Sequence, residues 1–359
     1  MQEFIIESKD AGQRFDKYLK KRLPGAATSL IYKQLRKKNI TLNQKKAQGN
    51  EILQVGDSIR CFFSDETFQL FQNGAEISNG NKASFDVKEY ESAFRSFKGI
   101  QIIYENEDIL ILHKPVGILS QKSVPNDITA NEWLIGYLLH EGCISEKSLS
   151  LFKPSVCNRL DRNTSGLLLC GKSLPGSQAL SECLKKRYLQ KYYLTICHGN
   201  MKQGDTVEGY LKKNEKNNTV SIRLENDDQG SEGYIKTKYD PIYSNQEYTF
   251  LKVELITGKT HQIRAHLSCV GHPLLGDAKY APEHVFSEDK GRFHQSYQLL
   301  HAYQVVFPNE DTLKLMEERY RKALIPLCNM HFESKLPKNF QKILSEIFPE
   351  AKDMTSLSI

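Results

Sequence analysis

Apolar residues recur at intervals of three and four near the start of the chain, which is the spacing of amphipathic helices. The first stripe consists of Phe15, Tyr18, Leu19 and Leu23. A Pro-Gly pair ends this helix, and Thr28 or Ser29 is able to cap a second helix whose Ile31 and Leu35 face inward. Two strand-like segments follow, so the first 63 residues predict a module of two helices and a strand pair.

The pattern then changes twice along the chain. Residues 65–100 show no sustained period and contain an Asn-, Ser- and Gly-rich tract, which predicts a linker or insertion. Beyond it, strand-like runs such as IIYENEDILIL, LLLC, KYYLTICHG and YTFLKVELI dominate, and helical segments such as NEWLIGYLLH and SQALSECLKKRYL lie between them. This order predicts an α+β body with a mostly antiparallel sheet over 101–325. Residues 326–359 are expected to form an extension that closes with a helix from Pro337.

Charge is unevenly distributed, and this changes the picture of the first module. Residues 1–62 contain 13 Lys+Arg against 6 Asp+Glu, a surplus of +7, while the 359-residue chain carries +6, so the remainder carries −1. A basic module on a near-neutral body favours polyanion binding. A solvated helical face is the alternative explanation of the charges alone. The candidate contacts are Lys33, Arg36 and Lys37, on one outer helix surface.

Several classes of protein are disfavoured. The start, MQEFIIESKD, lacks the basic and apolar regions of a secretory signal, and no run approaches the roughly 18 apolar residues that span a bilayer, so we expect a cytoplasmic protein. The eight cysteines show no C-x-x-C and no paired Cys/His spacing, which argues against a zinc site or a disulfide framework. His261 and His266 do not form an H-E-x-x-H pattern, so no metal is expected.

The stretch NRLDRNTSG, residues 158–166, places one acid between two arginines before a tight turn. In an extended segment Arg159 and Asp161 project to the same face, whereas Leu160 points inward and Arg162 lies opposite. We expect the adjacent guanidinium groups to lower the pKa of Asp161 and keep it ionised, which suits a nucleophile or a charge stabiliser. A buried Arg–Asp pair that stabilises the turn is the alternative.

A later stretch, LITGKTHQIRAHLSCVG, predicts a helix. Thr260 is able to cap it, and Gly271 is its C-terminal stop. Its inward stripe consists of Ile263, Leu267 and Val270. His261, Arg264 and Ser268 share another face.

Three of these stretches, in the same order, resemble the RluA-type pseudouridine synthases, which isomerise uridine to pseudouridine in RNA. RLDRNTSGLLL resembles their H-R-L-D-x-x-T-S-G signature, with Asn158 standing where the family usually has His. LQKYYLTICHG places the family's active-site tyrosine at Tyr193, and TGKTHQIRAH places the basic partner of the catalytic acid at Arg264. HKPVG, which contains Lys114, and LLHA, preceded by Tyr297 and Gln298 instead of the usual Arg-Leu, are also similar.

The resemblance implies roles for these residues. Asp161 would be the nucleophile, attacking either C1′ of the sugar or C6 of the base, and Arg264 would orient it and balance its charge. Tyr193 would pack on the flipped base and assist proton removal from C5; without the resemblance, it is simply a tyrosine that packs a strand. Arg159 would occupy the gap left in the RNA. The resemblance adds RNA contacts at Arg162, Thr164, Lys114 and His261, and it requires no cofactor.

Residues 12–63 of the first module resemble the S4 RNA-binding module. We therefore expect an S4-like domain over residues 1–64. Joined to this catalytic domain, it resembles the RluC/RluD branch, which implies 23S (large-subunit) ribosomal RNA as substrate and a monomer. A tRNA-directed synthase, a non-catalytic RNA-binding or ribosome-assembly factor of the same fold, and a glycosidase-like hydrolase with paired carboxylates are the alternatives. Intact Asp161, Tyr193 and Arg264 argue against the non-catalytic factor, and no second acid sits beside Asp161 for a hydrolase.

Overall fold

The elements follow the predicted alternation of strands and helices. The computed structural model describes residues 2–64, 67–68, 71–72, 87–124, 126–149, 152–214, 219–223 and 233–351. Its helices are α1 Phe15–Arg22, α2 Thr28–Arg36, α3 Val87–Ser96, α4 Ala130–His140, α5 Glu146–Leu149, α6 Leu174–Lys186, α7 Gln262–Cys269, α8 Glu283–Phe293, α9 Glu310–Lys314, α10 Glu318–Leu324 and α11 Lys338–Ile347, with a 3₁₀ turn at Ile325–Leu327. Its strands are β1 Gln2–Ile5, β2 Ile40–Leu42, β3 Lys45–Lys46, β4 Ser58–Cys61, β5 Gln101–Glu105, β6 Ile109–Lys114, β7 Ser155–Val156, β8 Ser165–Gly171, β9 Gln190–His198, β10 Asp205–Asn214, β11 Thr219–Arg223, β12 Tyr234–Ser244, β13 Tyr248–Leu255, β14 Leu300–Val306 and β15 His331–Glu333.

The N-terminal module packs α1 and α2 on a small antiparallel sheet of order β1-β4-β2-β3. Both predicted helical stripes are buried in its core. The expected caps at Thr28 and Ser29 are wrong, because Ala27 is the N-cap residue and no side chain caps α2. Strand β1 was not predicted, since its residues alternate over only four positions. The module is therefore a two-helix, four-stranded unit with its own apolar core.

The body is built on a larger sheet of order β11-β10-β12-β13-β9-β14-β8-β6-β5, with β15 beside β14 and β7 beside β8. These pairs are antiparallel, except that β14 runs parallel to β8. The sheet is thus mixed but mostly antiparallel, with helices packed against it. The predicted α+β body is confirmed.

Helix α3 lies within residues 65–100, for which a linker or insertion was predicted, so the end of this stretch is ordered. Tyr90 and Ala93 are buried, and α3 packs on α4 at Gly136, where an added Cβ would lie 2.1 Å from the Tyr90 carbonyl oxygen. The apolar stripe of α3 is short and adjoins the Asn- and Gly-rich tract, which masked its period. Residues 73–86 of the expected linker lie outside the described residues.

The C-terminal segment also belongs to the body. Strand β15 pairs with β14, and α11 begins directly after Pro337, as predicted. Phe340, Ile343 and Leu344 are buried against Phe250 and its neighbours from the sheet. The predicted extension therefore packs on the body over 326–351, while 352–359 lie outside the described residues.

No helix in the described ranges combines the length and the apolar character needed to cross a membrane. All eight cysteines are free thiols.

Candidate active site

Asp161 lies on the turn between β7 and β8, in a cleft of about 1160 Å³. Its side chain is 24% exposed. Two contacts fix the turn around it: Leu160 donates from its amide to Ser120 Oγ at 2.9 Å, and the Thr164 amide donates to the Asp161 carbonyl at 3.0 Å. Gly166 follows at φ 110°, and a Cβ there would lie 2.1 Å from the Ala302 carbonyl oxygen. The turn therefore requires glycine where it enters β8.

Arg264 is the cation that contacts Asp161. Its Nη1 donates to Asp161 Oδ2 at 2.8 Å, and the Nε2 of His261 lies 3.7 Å from the same oxygen. The neighbouring arginines do not pair with Asp161: among the described residues, its carboxylate contacts Arg264 and His261, and not Arg159 or Arg162. Arg264 instead approaches Asp161 across the cleft. Arg159 and Arg162 line the cleft as exposed side chains.

Arg264 is itself held from behind by an acid that the sequence did not single out. The Nε and Nη2 atoms of Arg264 each donate to a different carboxylate oxygen of Asp277, both at 2.7 Å. Asp277 is fully buried. Burial disfavours the charged form of Arg264. The bonds to Asp277 and Asp161 outweigh this effect and raise the pKa of Arg264, so the guanidinium stays protonated. In the sequence, Asp277 stands out only as an acid directly after Gly276.

Helix α7 presents the predicted face to Tyr280. The guanidinium carbon of Arg264 lies 5.1 Å from the Tyr280 ring centre, His261 Nδ1 lies 2.8 Å from the Tyr280 hydroxyl, and Ser268 Oγ donates to the Tyr280 carbonyl at 2.7 Å. The expected cap at Thr260 is wrong, because α7 begins after His261, which has φ 54° and makes no side-chain cap. The left-handed turn places the His261 ring beside Asp161.

Tyr193 lies on β9, in register with Val253 of β13 and Ala302 of β14. It is 6% exposed and lines the same cleft as Asp161 and Arg264. Burial and the charge of Asp161 both raise the pKa of Tyr193, so the phenol is protonated at neutral pH. The three residues named as catalytic from the sequence therefore meet in one cleft.

Lys114 and Thr164 are not free to contact RNA, which corrects two of the expected binding residues. Lys114 is fully buried, and its amine donates to the carbonyl oxygens of Pro115, Ile118 and Arg162 at 3.0, 2.8 and 3.1 Å. Burial lowers its pKa to about 7. Thr164 is 2% exposed and accepts a bond from the Gln298 amide at 3.3 Å. Both residues therefore stabilise the loop that carries Asp161.

The side chain of Asn158, which stands where the family signature has His, hydrogen-bonds to the backbone of β8. Its Oδ1 accepts from the Leu169 amide at 2.7 Å, and its Nδ2 donates to the Leu167 carbonyl at 3.4 Å. The side chain thus satisfies backbone groups of β8 next to the cleft. The other predicted contacts, Lys33, Arg36 and Lys37, are exposed on α2 and the residue that follows it.

Known proteins with similar sequences include RNA pseudouridine synthases. Residues 108–269 match the family described as RNA pseudouridylate synthase. The ribosomal large subunit pseudouridine synthase C of Pasteurella multocida is 30% identical over 314 residues, which cover 86% of each chain. An uncharacterized RNA pseudouridine synthase of Mycoplasma genitalium is 27% identical over 95% of this chain and 98% of its own length.

A solved structure extends the similarity to the fold. Human RNA pseudouridylate synthase domain containing 4 superposes with a TM-score of 0.54 at 20% identity, covering 73% of this chain and 97% of the human chain. At this identity the likeness concerns the architecture of the sheet and its helices.

Proposed function

This chain belongs to the RNA pseudouridylate synthase family, and from that premise we propose that it converts uridine to pseudouridine in large-subunit ribosomal RNA, with Asp161 as the nucleophile. The single observation that carries the proposal is the cleft itself, in which Asp161 is paired with Arg264 and lies beside Tyr193. Relatives named ribosomal large subunit pseudouridine synthase C support the choice of substrate.

The carboxylate of Asp161 is arranged for a covalent step. In the described part of the chain, the hydrogen bond from Arg264 and the 3.7 Å contact with His261 both use Oδ2. We assign Oδ1 as the attacking oxygen, which forms a bond to C1′ or to C6 of the target uridine. If Asp161 bonds to C1′, that bond forms as the N1–C1′ bond breaks, and after the base turns, C5 displaces the carboxylate from C1′. If Asp161 adds to C6, the N1–C1′ bond breaks, the base turns, C5 bonds to C1′, and the carboxylate then leaves C6. On both routes C5 loses its proton and N1 gains one. Arg264 balances the carboxylate charge before Asp161 bonds to the nucleotide and again when Asp161 is released.

Tyr193 is suited to hold the base. A buried aromatic ring beside the carboxylate provides a stacking platform for an extruded pyrimidine. Burial, the larger cause, and the charge of Asp161 both raise the pKa of Tyr193, so the phenol is a poor base while Asp161 is charged. Bonding of Asp161 to the nucleotide removes the smaller contribution, that of its charge. We therefore propose that Tyr193 assists loss of the C5 proton only after the covalent bond has formed.

The paired-carboxylate hydrolase receives little support from the geometry. The acid adjacent to the site, Asp277, is fully buried, and both of its oxygens are bonded to Arg264. It is therefore not positioned to act as a general acid in the cleft.

We further propose that residues 1–64 form an S4-like RNA-binding domain and that the enzyme acts as a monomer on 23S ribosomal RNA in the cytoplasm. The support is a separate apolar core with the exposed cations Lys33, Arg36 and Lys37 on one outer surface. Arg159, Arg162 and His261 are the proposed contacts within the cleft.

The test uses transcripts of large-subunit ribosomal RNA and of tRNA that carry tritium at C5 of uridine. The wild-type protein should release tritium from the ribosomal transcript. Asp161→Asn should lower the rate by on the order of 10⁴-fold or more, because it removes the nucleophile. Asp311→Asn is the matched control, since Asp311 is 88% exposed and pairs only with Lys314 among the described residues.

The other results each contradict the proposal in a different way. Free uracil would indicate a hydrolase, and binding without tritium release would indicate a non-catalytic factor. Release from the tRNA transcript alone would reassign the substrate. An Asp161→Asn variant as fast as wild type would remove Asp161 from the chemistry.

A further inference from the structure

Two cations of the cleft stand apart from the Asp161 network. Arg187 follows α6, and Lys191 lies on β9, so they flank the short connection between these elements. Both line the cleft that contains Asp161 and Tyr193. Within the described ranges, neither takes part in an ion pair or a side-chain hydrogen bond. They are therefore charges without a counter-ion at the edge of the proposed reaction centre.

The position of Lys191 follows from strand geometry. Lys191 and Tyr193 are two residues apart on β9, so their side chains project to the same face about 7 Å apart. Tyr192 between them points to the other face, where the amine of Lys252 lies 4.7 Å from its ring centre. The Lys191 side chain thus leaves the strand about one nucleotide repeat from the side chain proposed to hold the base.

The space next to the Lys191 amine is kept open by a glycine. Gly258 is exposed, and a Cβ built on it would lie 3.7 Å from Lys191 Nζ. A larger side chain at this position would therefore cover the amine. Gly258 and Lys259 line the same cleft, so the amine faces a space that a ligand is able to enter.

The charges around this site favour an anion. Burial and the neighbouring positive charge of Arg187 lower the pKa of Lys191 to about 8. Glu208, whose partner Tyr234 lines the cleft, is already bonded to Tyr234 at 2.7 Å and to Lys236 at 2.5 Å. Two like charges brought together in a partly buried site repel, and an anion placed between them removes that repulsion.

We infer that Arg187 and Lys191 form a phosphate-binding subsite that holds the RNA backbone next to the uridine lying on Tyr193. The inference rests on the proposed function, and it assigns the ligand chemistry of the subsite as one phosphodiester. Binding there fixes the backbone on one side of the flipped nucleotide while Arg264 fixes the carboxylate on the other. The subsite acts in binding and leaves the chemical step to Asp161.

Binding is measured in the Asp161→Asn background, with an unmodified large-subunit ribosomal RNA transcript as the probe. For single-stranded RNA, each lost phosphate contact reduces the slope of log affinity against log salt by about 0.7. Lys191→Gln should show this reduction, so that between about 50 and about 200 mM salt its affinity falls about 2.6-fold less than that of the parent. Arg187→Asn should behave alike, and Asn tolerates the left-handed backbone of Arg187, at φ 61°.

The matched control is Lys185→Gln, an exposed lysine on α6 that does not line the cleft. Its salt slope should equal that of the parent. Activity is measured in the protein with Asp161 intact. There, Lys191→Gln should raise KM for tritium release several-fold and leave kcat within about twofold of the parent, and Lys191→Arg should restore KM.

Two results would overturn the inference. One is a salt slope of Lys191→Gln equal to that of the parent, or a reduction of the slope in Lys185→Gln as large as that in Lys191→Gln. The other is a loss of kcat at constant KM, which would mean that Lys191 merely positions Tyr193. Failure of the proposed function is separate, because it would appear as a wild-type protein that releases no tritium from ribosomal RNA.

Discussion

At the scale of single residues, the geometry of Asp161 depends on Asp277. Two of the three guanidinium nitrogens of Arg264 are bonded to this buried acid, which leaves Nη1 directed at Asp161. Without Asp277, Arg264 would be a mostly buried cation with a single, partly exposed partner. Asp277 is therefore a positioning residue for the proposed nucleophile.

We expect Asp277→Asn to lower the free energy of unfolding by about 3–5 kcal/mol, because it leaves a buried guanidinium without its counter-charge. Asp311→Asn, at an exposed ion pair, should change it by less than about 0.5 kcal/mol. Urea denaturation followed by circular dichroism measures both. Equal effects of the two substitutions would show that the buried pair contributes no more than a surface pair.

The candidate site shows what sequence is able to predict at this scale. Asp161, Tyr193 and Arg264 were predicted together because each lies in a recognisable local pattern. The pairing of Asp161 with Arg264 was expected only from the family resemblance. The burial of Lys114 was not predicted, since it depends on groups brought together only by folding. Asp277 was missed for the same reason, because an acid beside a glycine in a loop is usually solvated.

At the scale of elements, one amine joins two loops. Lys114 ends β6, and its bonds reach the loop that follows and the carbonyl of Arg162 in the turn before β8. Its pKa is about 7 in the fold, compared with about 10.4 in an unfolded chain. Between these values the unfolded state binds more protons, so this lysine makes stability rise with pH from about 7 to about 10.

We expect Lys114→Met to flatten the increase in urea midpoint between about pH 7 and about pH 9 relative to wild type. Below about pH 7 the penalty of the buried charge is complete, so the two curves should run parallel there. Lys335→Met, at an exposed lysine, should keep the wild-type slope. A Lys114→Met curve parallel to wild type over the whole range would contradict the burial effect.

Helix α3 supplies a second prediction at this scale. Gly136→Ala places a methyl group against the Tyr90 carbonyl, so α3 and α4 must separate, and we expect a loss of about 1–3 kcal/mol in stability. Gly291→Ala, in α8 with no atom within 4 Å of the new Cβ, should gain up to about 1 kcal/mol. Thermal unfolding compares the two variants. A neutral Gly136→Ala would show that α3 does not pack closely on the body.

Most strands and helices were predictable because their apolar periods are local. The exceptions have physical reasons: β1 is too short to show alternation, and the stripe of α3 adjoins a polar tract. The parallel pairing of β14 with β8 joins His301 to Ser165 and has no local signal.

At the scale of the whole molecule, the division into a basic module and a near-neutral body was visible in the charge distribution. The α+β class followed from the alternation of runs. The integration of α3 and of the C-terminal segment into the body was not predictable, because it depends on which surfaces the sheet leaves uncovered.

The basic surface of the proposed S4-like domain yields a prediction at this scale. The combined substitution of Lys33, Arg36 and Lys37 by Gln should reduce the salt slope of RNA affinity by about 2 if all three contact phosphates. kcat should stay within about twofold, because the cleft is unchanged. Substitution of the exposed Lys335, Lys338 and Lys342 by Gln matches the charge change on another surface and should leave the slope unaltered. A similar loss in both triple variants would mean that only net charge matters.

The central pairing of β14 with β8 and β9 has a consequence for synthesis on the ribosome. The residues that line the cleft lie between positions 119 and 298 of the chain. Strand β15, which pairs with β14, ends at Glu333. During translation, the N-terminal module is able to fold around its own core long before these partners emerge. A nascent or prematurely terminated chain therefore presents a basic surface to RNA while it lacks a reactive centre, and chemistry begins only when nearly all the described residues have left the exit tunnel.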